Sequence, residues 1–330
     1  MHLDLLDVLR EPVTGATLRL VDARTSGAEV ESGQLVTEAG ASYPIVRGIP
    51  RFVASDGYAK SFGDQWNKFR AVQLDSATGR SRSEARFDAE TGWSRSHREG
   101  KWVLDAGCGA GRFAQIAAAR GARLVALDLS SAVDATATTL RETAKPNGGR
   151  FDVVQASLLD PPFAKGAFDF AYSLGVIQHT PDPGRGIRQV VDSARSGGRF
   201  AFAIYGRKPW TKLHSKYLIR PLTKRVPGPM LMRAIETSMP VLFPLTDVLF
   251  RLPAVGPLAR FTIPVANYVD NVDFTREQRY AEAVLDTFDM LSPRYDSPMT
   301  AGEVERELRA VGARTWNFTS RVPVVLRGER

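Results

Sequence analysis

The sequence is short of sulfur: Cys108 is the one cysteine in 330 residues. A lone thiol excludes an intramolecular disulfide framework and any thiolate-rich zinc or iron–sulfur centre. A reducing compartment is then the default. No run of about 18 apolar residues is free of charge and proline, so no membrane-spanning helix is expected. The opening MHLDLLDVLREP puts acids where a secretory signal needs a basic stretch and an apolar core, so no signal peptide is expected. What remains is ordinary globular composition, 43% hydrophobic and 24% charged, which excludes collagen, coiled coil and wholesale disorder. The length suits about two domains.

The net charge of +8 is local. Between Arg207 and Phe261 stand ten basic residues against Glu236 and Asp247, and the rest of the chain carries 34 charges of each sign. The same stretch holds eight prolines and apolar groups such as Met230–Met232, Val241–Phe243 and Val248–Phe250. That mixture reads as a helical insertion: a lid over an anionic or greasy substrate, a surface that meets anionic lipid, or simply Arg residues facing water. A nucleic-acid binder would spread its charge over a broad face.

Residues 1–55 read as short strands separated by Gly-bearing turns, a small β-rich module. Its closing run Tyr43-Pro44-Ile45-Val46-Arg47-Gly48-Ile49-Pro50 resembles the closing motif of the small activator subunit of tRNA, rRNA and release-factor methyltransferases. Some members of that family bind zinc through cysteines; Pro12–Gly15 has none, so no metal is expected here. Residues 56–100 read as a helical linker or cap, in which Gln65 and Trp66 are candidates to cover a bound cofactor.

From Lys101 the pattern changes to a βαβ unit. An apolar strand, Trp102–Leu104, runs into Asp105-Ala106-Gly107-Cys108-Gly109-Ala110-Gly111-Arg112, then a helix of small residues, then a second strand ending at Asp128. Glycines let the backbone approach a ligand, and the helix start offers free N–H groups. Asp128 lies 21 residues past Gly107, where a carboxylate can accept both hydroxyls of a ribose. A dinucleotide fingerprint needs glycine at 112, where this chain has Arg. The acid at 105 would repel a pyrophosphate, and it suits a ligand with an ammonium group instead.

The string Val103–Phe113 resembles the first motif of class I S-adenosylmethionine-dependent methyltransferases, and further motifs of that family follow in order. Phe151–Asp160 resembles the third strand and adenine loop, with Ser157 where most relatives carry Asp. Gly166–Thr180 resembles the fourth strand and its loop, Ser196–Tyr205 the fifth strand, and Leu291–Leu326 the last helix and hairpin. The resemblance implies a doubly wound, Rossmann-like, seven-stranded α/β sheet with a small β-rich N-terminal domain and a helical insertion. The implied division is 1–55, 56–100, 101–206, 207–284 and 285–330, with methyltransferase core in the third and last parts. The implied cofactor is S-adenosylmethionine, the product S-adenosylhomocysteine, and the cofactor residues are Asp105, Gly107, Cys108, Gly109, Gly111, Asp128, Leu129, Ser157, Leu158, Ser173, Leu174 and Gly175, besides Gln65 and Trp66.

Methyl transfer is an in-line displacement that needs a nucleophile at about 3–3.5 Å and, for a hydroxyl, a base. Ligands of open α/β sheets bind beyond the carboxyl ends of the strands, so His179, after the fourth strand, is the first candidate base. A histidine that merely holds the loop before Pro181 fits the same position. Tyr205 and Tyr295 are candidates to line the acceptor pocket, with a catalytic part for Tyr295. The reading that follows is O-methylation of a lipid-like, glycan or secondary-metabolite acceptor by a cytoplasmic enzyme, with a peripheral membrane contact through 207–261. An RNA or protein methyltransferase and a non-catalytic cofactor-binding partner are the alternatives.

Overall fold

The computed structural model describes residues 1–93, 99–144, 149–271 and 273–330. The N-terminal module is a four-stranded antiparallel sheet in the order β1 (Arg19–Ser26), β2 (Glu29–Val36), β3 (Ser42–Val46), β4 (Ile49–Pro50). It is fastened to the edge of the main sheet. The Phe52 amide donates to the Gln155 carbonyl at 2.8 Å, and the His2 amide donates to Asp152 at 2.6 Å. Leu5, Leu9, Leu35 and Phe52 share one core with Val125, Val154 and Phe168 of the main sheet, so the module covers one of its faces.

The main sheet has seven strands in the order β10-β11-β9-β8-β5-β6-β7. These are β5 (Trp102–Ala106), β6 (Arg123–Asp128), β7 (Arg150–Gln155), β8 (Phe168–Leu174), β9 (Ala194–Ile204), β10 (Thr315–Arg321) and β11 (Val324–Glu329). Strands β5 to β9 pair in parallel, and β11 and β10 are added antiparallel at the edge. Parallel strands with apolar residues on both faces demand cover on both sides. The N-terminal module covers one; on the other, Phe87 and Trp93 pack against Phe113, Phe170 and Tyr172. Chain order reverses between β5 and β8, which opens the crevice in which ligands of such sheets bind.

Among the described residues three α-helices precede the sheet: α1 (Lys60–Lys68), α2 (Asp75–Thr78) and α3 (Arg82–Thr91). Within it lie α4 (Ala114–Ala119), α5 (Ala132–Thr143) and α6 (Pro183–Ser193). After β9 come α7 (Ser215–Thr223), α8 (Gly228–Leu249), α9 (Gly256–Thr262), α10 (Arg276–Leu291) and α11 (Ala301–Ala310). Helix α10 runs straight through position 284, so the core and the inserted segment meet inside one helix.

The inserted helices sort their residues by periodicity. Leu231, Met232, Ile235, Met239 and Phe243 of α8 recur at steps of one, three and four and form a core with Val284 and Phe288 of α10. Basic residues of this stretch also sort. Arg220, counted above with the surface charge, is buried and donates to the carbonyls of Met290 (3.0 Å) and Pro293 (2.7 Å), while Thr223 donates to Leu291 at 2.9 Å. They satisfy carbonyls at the end of α10, which would otherwise lack partners. Arg220 is thus a helix cap, not part of a solvated face.

Candidate active site

A cavity of about 550 Å³ opens at the crevice between β5 and β8, walled by the glycine loop, α1, α3, the loop after β8, and α10. Gly107 sits at φ 98°, a left-handed backbone that favours glycine, and a Cβ there would come within 2.3 Å of Val176 Cγ1. The loop is fixed from behind: Thr136 donates to the Gly109 carbonyl at 2.6 Å and Thr139 to the Ala110 carbonyl at 2.8 Å. A Cβ on Gly109 would lie 3.2 Å from the Trp66 indole nitrogen, so α1 closes over the loop.

Asp128 ends β6 in the cavity wall. One carboxylate oxygen accepts from the Gly109 amide at 3.0 Å, and the other from the amide (2.9 Å) and hydroxyl (2.7 Å) of Ser130. Burial nevertheless raises its carboxyl above the usual range. Leu129, Ala156 and Leu158 continue the wall as an apolar slot beside it. An acid flanked by an apolar slot and a glycine cradle fits the ribose, adenine and aminoacyl parts of S-adenosylmethionine in turn.

Of the residues singled out from sequence, Trp66, Gly107, Cys108, Gly109, Asp128, Leu129, Leu158, Leu174, Gly175 and His179 line the cavity together. Six others are placed behind it. The Ser157 hydroxyl accepts from the Leu159 amide at 3.1 Å, within its own turn. The Ser173 hydroxyl is buried and donates to the Ala106 carbonyl at 2.7 Å, joining β8 to β5. Gly111 packs on Thr136 and Thr139 of α5. Asp105 is buried beneath the loop, where burial pushes its carboxyl up to about 8 against the pull of the Tyr172 hydroxyl. Its Oδ2 is buried without a hydrogen-bond partner. The Gln65 amide reaches Asp289 at 3.5 Å. Tyr295 enters the site through its backbone: its carbonyl stands 3.1 Å from His179 Nδ1, while its ring meets Tyr58 edge-on. Tyr205, the other tyrosine expected at the acceptor pocket, lines the cavity edge-on to His179.

The acids of α10 went unread in the sequence. Glu282, Asp286 and Asp289 recur at steps of four and three, a single helical face, and all three line the cavity. Arg82 and Arg86, one turn apart on α3, and Arg112 of the glycine loop face them. Burial and the neighbouring Arg86 lower the Arg112 guanidinium to about 10. The amphipathic spacing at 282, 286 and 289 was the available signal; nothing in the sequence tells which wall that face meets.

The chain resembles known proteins over its core. Residues 104–202 match the family model described as a methyltransferase domain. A ubiquinone biosynthesis O-methyltransferase of Azotobacter vinelandii is 32% identical over 120 residues, 36% of this chain and 50% of that protein. The O-methyltransferase resE of Aspergillus sclerotiorum is 31% identical over 36% of this chain and 45% of its own length. The chain thus spans about half the length of the curated relatives it matches. A solved S-adenosylmethionine-dependent methyltransferase of Methanosarcina mazei overlays with a TM-score of 0.41 at 18% identity, over 70% of this chain and 93% of that one. Residues 104–202 of the doubly wound core thus form a methyltransferase domain, whose glycine loop and Asp128 fit S-adenosylmethionine.

Proposed function

We propose that the chain methylates an oxygen of a small-molecule acceptor, with His179 as general base. The observation that carries this is the pairing of His179 Nδ1 with the Tyr295 carbonyl at 3.1 Å, inside the cavity that Asp128 and the glycine loop share. A carbonyl can only accept, so Nδ1 holds the ring proton and Nε2 keeps its lone pair. The ring is further held between Phe62, at 5.1 Å, and Tyr205, at 5.4 Å between centroids. S-adenosylmethionine, when bound, would supply an electrophilic methyl group that the acceptor oxygen would take as the S–CH3 bond breaks, and His179 Nε2 would take the hydroxyl proton. Gly107 and Gly109 give the backbone its close approach, Asp128 takes the ribose, and Trp66 excludes water from the loop.

Both O-methyltransferase relatives support oxygen as the nucleophile. The test is calorimetric titration of S-adenosylmethionine into the wild type and an Asp128→Ala variant, followed by labelled methyl transfer to metabolite extracts. Binding that the variant loses supports the reading; a wild type that binds no cofactor sinks it.

A second proposal concerns the inserted helices. Thirteen of the nineteen exposed large hydrophobic residues among the described residues lie between Trp210 and Leu258. Lys208, Lys212, Lys224, Arg225, Arg233 and Arg251 are exposed among them. Apolar tips ringed by cations suit peripheral contact with an anionic membrane. No helix among the described residues is long and apolar enough to cross one.

A further inference from the structure

Building on the methyltransferase reading, we propose that the part of the cavity walled by α10 is the acceptor subsite, and that it takes a ring dense in hydroxyl groups, sugar-like in chemistry, rather than an apolar or aromatic ring. Three carboxylates turn toward this part with acceptor capacity to spare. Asp286 accepts only from neutral donors, the Tyr268 hydroxyl at 2.6 Å and the Gln73 amide at 3.2 Å. Asp289 has the Gln65 amide at 3.5 Å, the outer limit of a hydrogen bond. Asp296 pairs one oxygen with Lys216 Nζ at 2.8 Å, yet its other oxygen, Oδ1, has no partner although the side chain is only 2% exposed.

The cations opposite are already engaged. Arg82 lies 3.5 Å from Glu282, Arg86 bonds Glu90 at 2.8 Å, and Arg112 bonds Ser83 and Gln73, each at 2.9 Å. Filling the space with an apolar ring would bury these oxygens without donors, which costs more than the contact returns. Hydroxyl groups would supply the missing donors. Among the described residues no group of three acids, histidines or cysteines is arranged to hold a metal ion, so the acids suit an extended ligand better than a point charge. Tyr205 completes the argument. Its ring lines the same cavity as Asp286, Asp289 and Asp296 and stands edge-on to His179. An aromatic surface for C–H groups, ringed by carboxylates for hydroxyls and next to the base, places one acceptor hydroxyl at His179.

The experiment is saturation-transfer NMR on the full chain saturated with S-adenosylhomocysteine. The probes are the methyl glycosides of glucose, galactose and mannose, then glucosamine, then catechol as the aromatic ring. At least one glycoside is expected to bind, and Asp289→Asn and Asp296→Asn are each expected to weaken it about tenfold, the loss of one hydrogen bond to a charged group. Glucosamine binding better than glucose would assign an ammonium to the carboxylates; equal binding would assign hydroxyls, and either supports the subsite. Should an Asp variant lose its circular dichroism, Tyr205→Leu serves in its place. Binding of catechol alone, of no glycoside, or binding unmoved by the variants overturns the proposal. Failure of S-adenosylhomocysteine to bind the wild type overturns the methyltransferase reading instead, so the two failures are distinct.

Discussion

His179 Nδ1 lies 3.1 Å from the backbone carbonyl of Tyr295, a bond that joins the loop after β8 to the segment after α10. Because the partner is a carbonyl, the bond fixes the tautomer and leaves Nε2 basic. A structural histidine and a general base then predict different kinetics. His179→Gln is expected to lower kcat by about 10²–10⁴, the usual worth of a positioned base, while the cofactor Kd holds. Tyr295→Phe is expected to leave kcat near the wild-type value, since the carbonyl survives and a ring still packs on Tyr58. Rapid-quench assays with calorimetry check both; a His179→Gln enzyme at wild-type rate would return His179 to a purely structural role.

Gly107 is the tightest point of the cofactor cradle. Its φ of 98° and the 2.3 Å approach of a Cβ to Val176 Cγ1 make Gly107→Ala a double burden, of backbone strain and of collision. The strain alone is worth about 1–3 kcal/mol. We expect cofactor affinity to fall sharply, and Gly107→Ala with Val176→Ala to recover only the part of the collision owed to the Val176 methyls, since its Cβ would still stand 2.8 Å away. Titration calorimetry of the wild type and the two variants reads the split; equal affinities in all three would disprove it.

The pH dependence of stability follows from buried acids. Burial raises Asp105 to about 8 and Asp286 to about 7 from an ordinary 3.8. Between about pH 4 and 8 the folded chain therefore holds more protons than the unfolded one, so stability falls as pH rises through that window. His2, raised by its hydrogen bond to Asp152, adds the same sign above its ordinary value of 6.5. His214, lowered by burial, works oppositely below 6.5. The Tm of the ligand-free chain is expected to decline from pH 5 to 8, and Asp286→Asn to flatten the part below about 7. A Tm that climbs across this range contradicts the argument.

Much of this was legible before any coordinates. Val103–Phe113 and Asp128 were readable because a glycine loop between a strand and a helix has few structural uses, and its ligand geometry is local. The strands of the N-terminal module showed as apolar runs between glycine turns. Ser157 and Ser173 were not readable in the same way: whether a hydroxyl faces a cavity or its own turn depends on one rotamer. Asp105 reads as a charge for an ammonium, and its depth under the sheet, which raises its carboxyl, is a long-range property that the motif does not display. The acids at 282, 286 and 289 share a helical face that the sequence displays. Which wall that face meets is fixed by the packing of α8 on α10, a long-range contact that periodicity does not encode. Arg220 misled for a related reason, since its length lets it reach carbonyls 70 residues away in sequence.

The surface of the inserted helices gives the last prediction. Trp210, Leu222 and Met230 are 55%, 68% and 63% exposed, and Lys224 and Arg225 stand close by in sequence. The cations alone make a homodimer through this face repel itself, whereas an anionic bilayer attracts it, at about 1 kcal/mol for each Lys or Arg near the surface. Vesicles containing phosphatidylglycerol are expected to sediment the protein at low salt, and phosphatidylcholine vesicles are not. Lys224→Gln with Arg225→Gln removes two such attractions, so binding is expected to weaken about thirtyfold. Raising the salt should weaken the wild type in the same direction, because the Debye length shrinks from about 30 Å at 0.01 M to about 10 Å at 0.1 M. Trp210→Ser is expected to weaken binding while leaving its salt slope intact, since the ring contributes burial rather than charge. Equal sedimentation with both lipids, or none with either, would assign the face to a protein partner; a concentration-dependent mass in light scattering would then assign it to a second copy.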